Sequence, residues 1–525
     1  MKVLIADTVS PTCAEVLRRA GLEAAHRPGL GRKELMRAIA DAEGLVVRSD
    51  TQVTEEVIAA APRLRVVGRA GAGVDNIDVA AATRRGVVVM NAPGENTISA
   101  AEHTMSMILA LARQIPAADR SMRAGRWERG RFLGVELLGK TLGILGLGKV
   151  GREVAARARV FGMEVIGADP VLSEEMAARL GVTLLPIEAI YERSDILTLH
   201  LPLTAETRHL IGRAQLLRCR PGVRIVNVAR GGILDEGALV EAIREGRVAG
   251  AALDVFETEP PAGSPLLSLD AVILTPHLGA STQEAQEKVA ARIAEQIAAF
   301  LKEGLVVNAV NMDGIDPKIL PALKPYRDLC ERLGRLLSAL GRGPVAEIAV
   351  EYSGAVLEYP TRPLTASFLK GFLEGKLSDP VNPVNAGMLA KEAGIRVHET
   401  RAAEPQDFSA LIGATVRGRD ATRAAAGALF GKREPRLVRL DEYHLDAIPQ
   451  GPMLIVSNDD RPGMVGRIGT ALGDAGVNIA YLSLGRDRSG GRAIAIFNLD
   501  SPIPDALLQT IGAIDGVLSA ERVTL

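Results

Sequence analysis

Hydrophobic and polar positions alternate along the first 312 residues in a repeating order of strands and helices. Short apolar runs that predict buried strands lie at residues 2–7, 44–48, 64–68, 87–90, 141–145, 164–168, 195–199, 223–228, 248–253 and 271–274. Helical spacing fills the intervals, and longer helices are predicted at 97–118 and 282–303. Because strands that alternate with helices usually pair in parallel, the pattern predicts two successive doubly wound sheets of the α/β class.

The pattern changes after residue 312. Pro317, Pro321 and Pro325 indicate a boundary, and residues 313–450 mix strand-like and helical stretches, which predicts an α+β domain. The order is clearer in residues 451–525, with strands predicted at 453–457, 479–484, 492–499 and 518–523 and helices at 464–475 and 505–514. This β-α-β-β-α-β order predicts a ferredoxin-like domain.

Composition narrows the classes of function. The 525 residues suffice for several domains, and 62 basic against 63 acidic side chains leave no overall field that would attract nucleic acid or an anionic membrane. The three cysteines are far apart and lack CxxC spacing, so neither a structural metal site nor a disulfide framework is expected. The chain opens with a strand pattern and has no apolar run of membrane-spanning length, so we expect a cytoplasmic protein.

A glycine-rich turn between a predicted strand and a predicted helix carries the first chemical signal. Gly146, Gly148 and Gly151 form the pattern GxGxxG, which lets backbone N–H groups approach a pyrophosphate at the helix start. Asp169 ends the next strand, where a carboxylate can bind both hydroxyls of a ribose. No arginine adjoins Asp169 in the sequence and its charge would repel a 2′-phosphate, so NAD is predicted rather than NADP. The alternative is a plain turn with an unrelated surface acid.

Three further polar residues follow predicted strands of the same sheet. Arg230 could clamp a carboxylate, His277 could remove a hydroxyl proton near neutral pH, and Glu259 could orient the imidazole. Together they suit the oxidation of a 2-hydroxy acid. Taken singly, each could instead be a surface charge or a hydrogen-bonded loop residue, and His103 and His200 are interpreted as packed or hydrogen-bonded.

Four segments resemble the D-isomer-specific 2-hydroxyacid dehydrogenase family: GLGKVGREVA, NVARGGILDEGAL, ALDVFETEPP and TPHLGASTQEAQ. The resemblance extends over essentially the whole chain and is strongest to the long branch that oxidises D-3-phosphoglycerate to 3-phosphohydroxypyruvate, the first step of the phosphorylated route to L-serine. It implies that Arg230 binds substrate, that His277 is the acid/base and that Glu259 is its partner. Ala72 and Val228 depart from residues frequent in the family, Thr and Cys respectively, at positions expected to touch the cofactor mainly through backbone.

The resemblance also implies two sets of binding residues and no resident metal. For NAD they are Gly146, Gly148, Lys149, Val150, Gly151, Asp169, Val228, Asp254, His277, Gly279 and Ala280. For the substrate they are Arg48, Arg69, Gly71, Asn96, Arg230 and His277. Two arginines beside the cleft match a phosphorylated substrate, although ordinary arginines at strand ends are the alternative.

Family architecture implies four domains. A substrate lobe comprises residues 1–96 and 283–312, a Rossmann NAD lobe 97–282, an intervening domain 313–450 and an ACT domain 451–525. A homo-oligomer is expected, with a dimer of the catalytic core and assembly to a tetramer through the regulatory domains. Trp127 and Arg129 resemble residues of the core interface, whereas the alternative for Trp127 is a place in a hydrophobic core.

The ACT resemblance implies that Asn458, Asp460 and Asn478 contact L-serine as an effector. A fold that serves only dimerisation is the alternative, and no ligand is predicted for the intervening domain. For the whole chain, the other interpretations are a different 2-hydroxyacid dehydrogenase, of the 2-hydroxyglutarate or hydroxypyruvate type, and an NADH-sensing interaction protein. Intact Arg230, Glu259 and His277 argue against a scaffold without chemistry.

Overall fold

The first lobe contains a parallel five-stranded sheet in the order β2-β1-β3-β4-β5. The computed structural model describes residues 1–316, 318–341, 343–377, 380–402, 408–419, 421–431 and 433–525. The strands of this lobe are β1 (Lys2–Ile5), β2 (Glu23–His26), β3 (Gly44–Val47), β4 (Val66–Arg69) and β5 (Val88–Asn91), and its helices are α1 (Thr12–Arg19), α2 (Arg32–Ile39), α3 (Glu55–Ala59) and α4 (Val79–Arg84). The strands β1, β3, β4 and β5 are almost wholly buried because helices cover both faces of the sheet, whereas the edge strand β2 is partly exposed.

The second lobe contains a parallel seven-stranded sheet in the order β12-β11-β10-β9-β6-β7-β8. Its strands are β6 (Thr141–Leu145), β7 (Glu164–Ala168), β8 (Thr183–Leu184), β9 (Ile196–Leu199), β10 (Val223–Asn227), β11 (Val248–Leu253) and β12 (Val272–Leu274). Its helices are α5 (Thr97–Arg113), α6 (Ile115–Arg123), α7 (Lys149–Val160), α8 (Glu174–Leu180), α9 (Ile187–Arg193), α10 (Arg213–Arg218) and α11 (Glu236–Arg244). The strand order reverses between β6 and β9, which confirms the doubly wound fold.

The single helix predicted at 97–118 is wrong, because the chain breaks between α5 and α6 at Gln114, which adopts φ 52°. Pro116 accounts for the break: a proline has no N–H with which to continue the ladder of helical hydrogen bonds. The carbonyl of Ala112 accepts a hydrogen bond from the backbone N–H of Val135 at 2.9 Å instead.

The chain returns to the first lobe through α12 (Gln283–Glu303), whose apolar face packs on the β1–β5 sheet. Two contacts lie where the chain passes between the lobes, near the start of this helix and of α5, and the second of them joins the lobes. The hydroxyls of Ser99 and Thr282 are 2.7 Å apart, and the Lys149 ammonium group donates to the carbonyl of Pro93 at 3.4 Å. The two lobes therefore face each other across a cleft.

The third unit, which follows the lobes, is an α+β arrangement, as predicted. Its six-stranded sheet has the order β14-β13-β15-β16-β17-β18, and only β13 and β14 pair in parallel. Its elements are α13 (Leu320–Leu340), β13 (Val345–Gly354), α14 (Arg362–Leu373), α15 (Ala386–Glu392), β14 (Arg396–Ala402), β15 (Ala410–Gly418), β16 (Thr422–Phe430), β17 (Glu434–Leu440) and β18 (Tyr443–Ala447). Pro321 and Pro325, predicted to mark a boundary, lie inside α13, and Pro317 is outside the described residues.

The last unit confirms the ferredoxin-like prediction. It consists of β19 (Pro452–Asp459), α16 (Met464–Asp474), β20 (Ile479–Arg486), β21 (Arg492–Leu499), α17 (Asp505–Gly512) and β22 (Val517–Thr524), with the antiparallel sheet order β20-β21-β19-β22. Leu454, Val456 and Phe497 on one face pack against α16 and α17. Met453 and Ile455 on the other face join the core of the preceding domain, so the two units share apolar packing.

Within the described ranges, no helix combines the length and the apolar content needed to cross a membrane.

Candidate active site

The carboxyl ends of the parallel strands in the second lobe bring the predicted site residues to one edge of the sheet. Across that edge, His277 follows β12, Asp254 follows β11, Arg230 follows β10, Gly146 follows β6 and Asp169 follows β7. This edge faces the cleft, and α/β sheets of this type bind ligands there, near the point where strand order reverses.

The glycine-rich turn is shaped for a close backbone approach. Gly146 adopts φ 92°, and a Cβ there would lie 2.4 Å from the carbonyl oxygen of His200. A Cβ at Gly151 would lie 2.1 Å from the Gly146 carbonyl oxygen, whereas a Cβ at Gly148 would meet nothing within 4 Å. The turn thus leaves open space in front of the first N–H groups of α7, which fits a pyrophosphate.

Asp169 is held as a carboxylate beside this turn. Its Oδ2 accepts from the backbone N–H of Leu147 at 2.8 Å, and its Oδ1 accepts from Val171 and Leu172 at 2.9 and 3.0 Å. Burial raises the pKa of Asp169, but these backbone hydrogen bonds and the charge of Arg152 outweigh burial and keep that pKa below its ordinary value. An ionised carboxylate at this place fits ribose hydroxyls.

Arg152 was missed by the sequence argument, which found no arginine next to Asp169. The residue lies in the first turn after the glycine motif, and its Nε donates to the Leu147 carbonyl at 2.7 Å. Folding therefore places a guanidinium near a carboxylate that is 17 positions away in the sequence. Val150, also predicted to contact NAD, is half-buried in the same helical turn.

His277 and Glu259 form a close pair. The Nδ1 atom of His277 lies 2.8 Å from Glu259 Oε2, and Glu259 Oε1 accepts from the backbone N–H of Phe256 at 3.1 Å. Burial raises the pKa of Glu259, but the hydrogen bond and the charge interaction with His277 outweigh burial. The pKa of Glu259 is therefore below its ordinary value. A carboxylate at Nδ1 fixes that nitrogen as the proton donor, so the Nε2 atom is available to accept a proton from a substrate.

Asp254 holds the segment that carries His277. Its Oδ1 accepts from the Thr275 hydroxyl at 2.6 Å and from the Leu278 N–H at 2.7 Å, and its Oδ2 accepts from the Gly279 N–H at 2.8 Å. His103 Nε2 lies 3.2 Å from Oδ1, which confirms the interpretation of His103 as hydrogen-bonded. Burial raises the pKa of Asp254, and these hydrogen bonds outweigh burial to lower that pKa. Asp254 thus positions the loop from within.

Three arginines converge on the cleft from both lobes. Burial, and to a smaller extent the nearby charges of Arg230 and Arg48, lower the pKa of Arg69 to about 10. Among the described residues, the buried Nε atom of Arg69 has no hydrogen-bond partner. A Cβ at Gly71 would lie 1.9 Å from Arg69 Nη1, so a larger residue there would displace this guanidinium from its observed position. Such a cluster suits an anion.

The cleft has a volume of about 460 Å³ and combines residues of both lobes. Among the predicted site residues, it is lined by Arg48, Arg69, Gly71, Asn96, Val228, Arg230, Asp254, Glu259, His277, Gly279 and Ala280. Asn96 precedes α5, and its side chain makes no capping hydrogen bond there. The glycine turn after β6, Lys149 and Val150 at the start of α7, and Asp169 directly after β7 do not line this cavity, although they lie at the same edge of the sheet.

The residues that shape the Arg48 loop were not predicted. Asp7, 2% exposed at the end of β1, accepts from the backbone N–H of Arg48 at 2.5 Å and from that of Thr51 at 3.2 Å. The Asn76 amide donates to the carbonyls of Arg48 and Thr51 at 2.7 and 2.6 Å. The sequence does contain a signal for Asp7, because it is an acidic residue at the end of the first apolar run, where a strand of a parallel sheet ends.

Comparison with known proteins places the chain in a family. It is 43% identical over its full length to the full length of the D-3-phosphoglycerate dehydrogenases of Archaeoglobus fulgidus and Methanocaldococcus jannaschii. It is 47% identical to the rat D-3-phosphoglycerate dehydrogenase over 75% of this chain and 74% of the rat chain. The chain belongs to the D-3-phosphoglycerate dehydrogenase family. The predicted family and the prediction of an oxidoreductase are thereby confirmed.

Family models match three parts of this D-3-phosphoglycerate dehydrogenase family member. They are the NAD-binding domain of the D-isomer-specific 2-hydroxyacid dehydrogenases at residues 105–279, the D-3-phosphoglycerate dehydrogenase intervening domain at 322–441 and the ACT domain at 453–516. A D-lactate dehydrogenase from Aquifex aeolicus, solved with NAD and lactic acid, has a TM-score of 0.53 and 28% identity and covers 59% of this chain and 100% of that chain. The predicted cofactor, NAD, is confirmed.

The predicted effector residues of this family member do not converge within one chain. Asn458 on β19 pairs with Ala493 of β21, whereas Ile479, the residue after Asn478, pairs with Leu499 at the other end of β21. Six residues of strand correspond to about 20 Å, so one small ligand cannot touch Asn458 and Asn478 of the same chain. A site formed by all three residues requires two copies.

Each of these polar side chains has a partner within its own chain. The Asn458 amide donates to the Asp459 carbonyl at 2.7 Å, and Asp460 Oδ2 accepts from the Gly490 N–H at 3.0 Å. The Asn478 amide donates to the Asp500 carboxylate at 2.7 Å.

Trp127 lies on the surface with 75% of its area exposed, so its alternative placement in a core is wrong. Arg129 beside it is exposed as well. Leu133 and Leu138, 86% and 74% exposed, are further exposed apolar side chains of the same segment of the chain. Exposed apolar side chains gathered in one segment are typical of an interface between proteins.

Proposed function

We propose that this chain oxidises D-3-phosphoglycerate to 3-phosphohydroxypyruvate with NAD, the first step of the phosphorylated route to L-serine. The observation that carries the proposal is the convergence of Arg48, Arg69 and Arg230 beside the His277–Glu259 pair. A substrate with a carboxylate at one end and a phosphate at the other supplies the anions that three guanidinium groups would bind. The full-length relatives named as D-3-phosphoglycerate dehydrogenases support it.

In the proposed mechanism, His277 Nε2 accepts the proton of the substrate C2 hydroxyl, and Glu259 stabilises the resulting imidazolium through Nδ1–H. Arg230 binds the carboxylate and polarises the C2 oxygen as it becomes a carbonyl. NAD, when bound, supplies the carbon that accepts the hydride from C2. In the reverse reaction, His277 returns the proton. Arg48 and Arg69 hold the phosphate, while Gly71 and Asn96 contact the carboxylate end.

The cofactor positions follow from the sheet edge. We assign the pyrophosphate to the turn and helix start, with Gly146, Gly148, Lys149, Val150 and Gly151. Asp169 would accept from the ribose hydroxyls, while its negative charge disfavours a 2′-phosphate. The nicotinamide would be flanked by Val228, Gly279 and Ala280, which line the cleft beside His277. Asp254 would hold the loop that carries His277, and His277 would face the nicotinamide from that loop.

We propose that the protein is a homo-oligomer with a core interface at Trp127 and Arg129 and a further interface through the regulatory domains. L-serine would bind between copies, with Asn458 and Asp460 from one chain and Asn478 from another. The strand distance between Asn458 and Asn478 supports this division. Free, buried cysteines, Cys13, Cys219 and Cys330, support the expectation of a reducing cytoplasm.

The test is the initial rate of NADH formation from D-3-phosphoglycerate, with the product removed and with NADP assayed in parallel. We expect turnover with NAD and far less with NADP. Turnover with 2-hydroxyglutarate or reduction of hydroxypyruvate, but no reaction of D-3-phosphoglycerate, would contradict the proposed substrate. The same assay with increasing L-serine tests the effector: inhibition supports it, and indifference contradicts it.

A further inference from the structure

A carboxylate of the first lobe meets the catalytic-site arginine of the second. Asp75 follows β4, Arg230 follows β10, and Asp75 Oδ2 lies 3.4 Å from Arg230 Nε. Arg230 Nη1 also donates to the carbonyl of Ala229 at 2.7 Å. A Cβ at Gly73 would lie 2.5 Å from Arg230 Nη2 and 2.7 Å from Asp75 Oδ2, so glycine leaves the space in which the pair meets. The contact therefore spans the cleft.

The other acids around the cleft are engaged elsewhere or lie further from the arginines. Glu259 pairs with His277, Asp254 accepts from its own loop, Asp7 accepts from Arg48 and Thr51 N–H groups, and Asp50 meets the Ser49 hydroxyl at 3.5 Å. The charge of Arg230 lowers the pKa of Arg69, whereas the charge of Asp75 raises it. Asp75 is thus an anion placed between arginines of both lobes. With 71% of its side chain exposed, it is free to move aside.

We propose that Asp75 is a positioning and specificity-determining residue, which partners Arg230 until the carboxylate of the substrate replaces it. The inference rests on the proposed function, because it assigns the substrate carboxylate to Arg230. It has two consequences. Asp75 keeps the guanidinium group of Arg230 oriented toward the cleft, and it competes with any carboxylate that approaches this guanidinium. Anions that bind weakly are therefore excluded, whereas the substrate displaces Asp75 with the help of its second anionic group.

The test is the binding of oxalate, a small dicarboxylate, measured by calorimetric titration of the full chain with NADH present. For Asp75→Asn we expect oxalate to bind about fivefold more tightly, because a competing charge is lost at a partly exposed site. The same variant should show a lower kcat for D-3-phosphoglycerate with an unchanged or lower KM. Asp50→Asn is the matched control: it removes a cleft-facing acid that has no arginine partner in the part of the chain that the structure describes, and oxalate affinity should stay within about twofold.

Two further variants separate this inference from general electrostatics and from damage to the fold. Asp75→Glu keeps the charge, so we expect oxalate affinity close to that of the wild type. In an Arg230→Gln background, Asp75→Asn should no longer tighten oxalate binding, since the two residues act as a pair. Tightening that persists without Arg230, or an Asp75→Asn chain that binds oxalate equally or more weakly, would overturn the proposal. Because binding is measured without turnover, a different physiological substrate would contradict the proposed function and leave this result intact.

Discussion

The catalytic cleft and the candidate effector residues of the ACT domain hold their polar groups in opposite ways. In the cleft, the Arg69 Nε atom is buried without a partner among the described residues, and Gly71 keeps the space beside the guanidinium open. In the ACT domain, the Asn458 and Asn478 amides and the Asp460 carboxylate all have hydrogen-bond partners in their own chain.

This difference has an energetic meaning. A buried donor without a partner destabilises the protein until a ligand binds. The full free energy of the new hydrogen bond therefore contributes to ligand binding. A donor that already has a partner gains little, because ligand binding only exchanges one hydrogen bond for another. The arrangement in the cleft therefore favours tight anion binding within one chain, whereas Asn458, Asp460 and Asn478 would have to exchange existing hydrogen bonds to bind a ligand.

The largest expected effect comes from removing the proposed base. His277→Asn should lower kcat about a thousandfold, because general acid/base catalysis contributes that order of rate and asparagine cannot accept the proton. Steady-state rates with D-3-phosphoglycerate measure the loss, and NADH binding, followed by fluorescence, should survive, because most of the proposed cofactor contacts remain. Glu259→Gln is the control: it keeps a hydrogen-bond acceptor at Nδ1 but removes the charge, and we expect a smaller loss. A His277→Asn chain with normal turnover would disprove the assignment.

Much of this fold could be predicted because the signals are local. Apolar runs located the strands of both parallel sheets except the edge strands β2 and β8, which are not fully buried and therefore lack a continuous apolar run. The glycine motif located the start of α7 from residue types within a few positions. The order of elements was enough for the ferredoxin-like unit. The convergence of Arg230, Glu259 and His277 also follows from the sequence, since parallel strands end at the same edge of a sheet.

The remaining features depend on contacts between distant segments. Asp7 organises the Arg48 loop from 41 positions away, and Arg152 reaches Asp169 from the preceding helix. Gln114 breaks a strongly helical pattern because Pro116 cannot continue it, although nothing marks Gln114 itself as left-handed. The Asp75–Arg230 contact joins the two lobes, and no sequence pattern predicts how close these two side chains lie.

The second expected effect concerns Arg69. Arg69→Gln should lower kcat/KM for D-3-phosphoglycerate about a hundredfold, because one charge-assisted contact with the phosphate is lost. For D-glycerate, which lacks the phosphate, the variant and the wild type should differ little. Comparing the two substrates in both proteins is the measurement. Equal losses for both substrates would show that Arg69 supports the cleft as a whole and does not contact the phosphate.

Stability gives a second readout on Arg69. Its pKa is lowered to about 10, so the charged form is disfavoured in the folded state. At pH values below about 10 this penalty is fully present, and above pH 10 it decreases progressively toward the ordinary pKa of arginine, because in that interval the unfolded chain binds more protons than the folded one. Without ligand, Arg69→Gln should therefore melt at an equal or higher temperature than the wild type at about pH 8, and this advantage should shrink at about pH 11. A variant that melts several degrees lower at both pH values would contradict the unpaired state of Arg69.

The smallest expected effect tests the ACT side of the comparison. Asn458→Ala and Asn478→Ala chains should each bind L-serine about tenfold more weakly, since each loses one polar contact. In the proposed site one copy supplies Asn458 and another supplies Asn478, so a dimer of the two different variants would contain one intact site and one doubly altered site. After random exchange of subunits, about a quarter of all sites should regain normal affinity. Calorimetric titration of the mixture with L-serine measures that fraction.

The control is a mixture of Asn458→Ala with Asp460→Ala chains, whose changes lie on the same side of the proposed site. In every possible dimer of that mixture, each site lacks either Asn458 or Asp460, so no affinity should return. If the first mixture also recovers nothing, although its subunits have exchanged, the three residues do not share one ligand. If instead each single variant binds L-serine normally, their internal hydrogen bonds are structural and the ACT domain serves assembly alone.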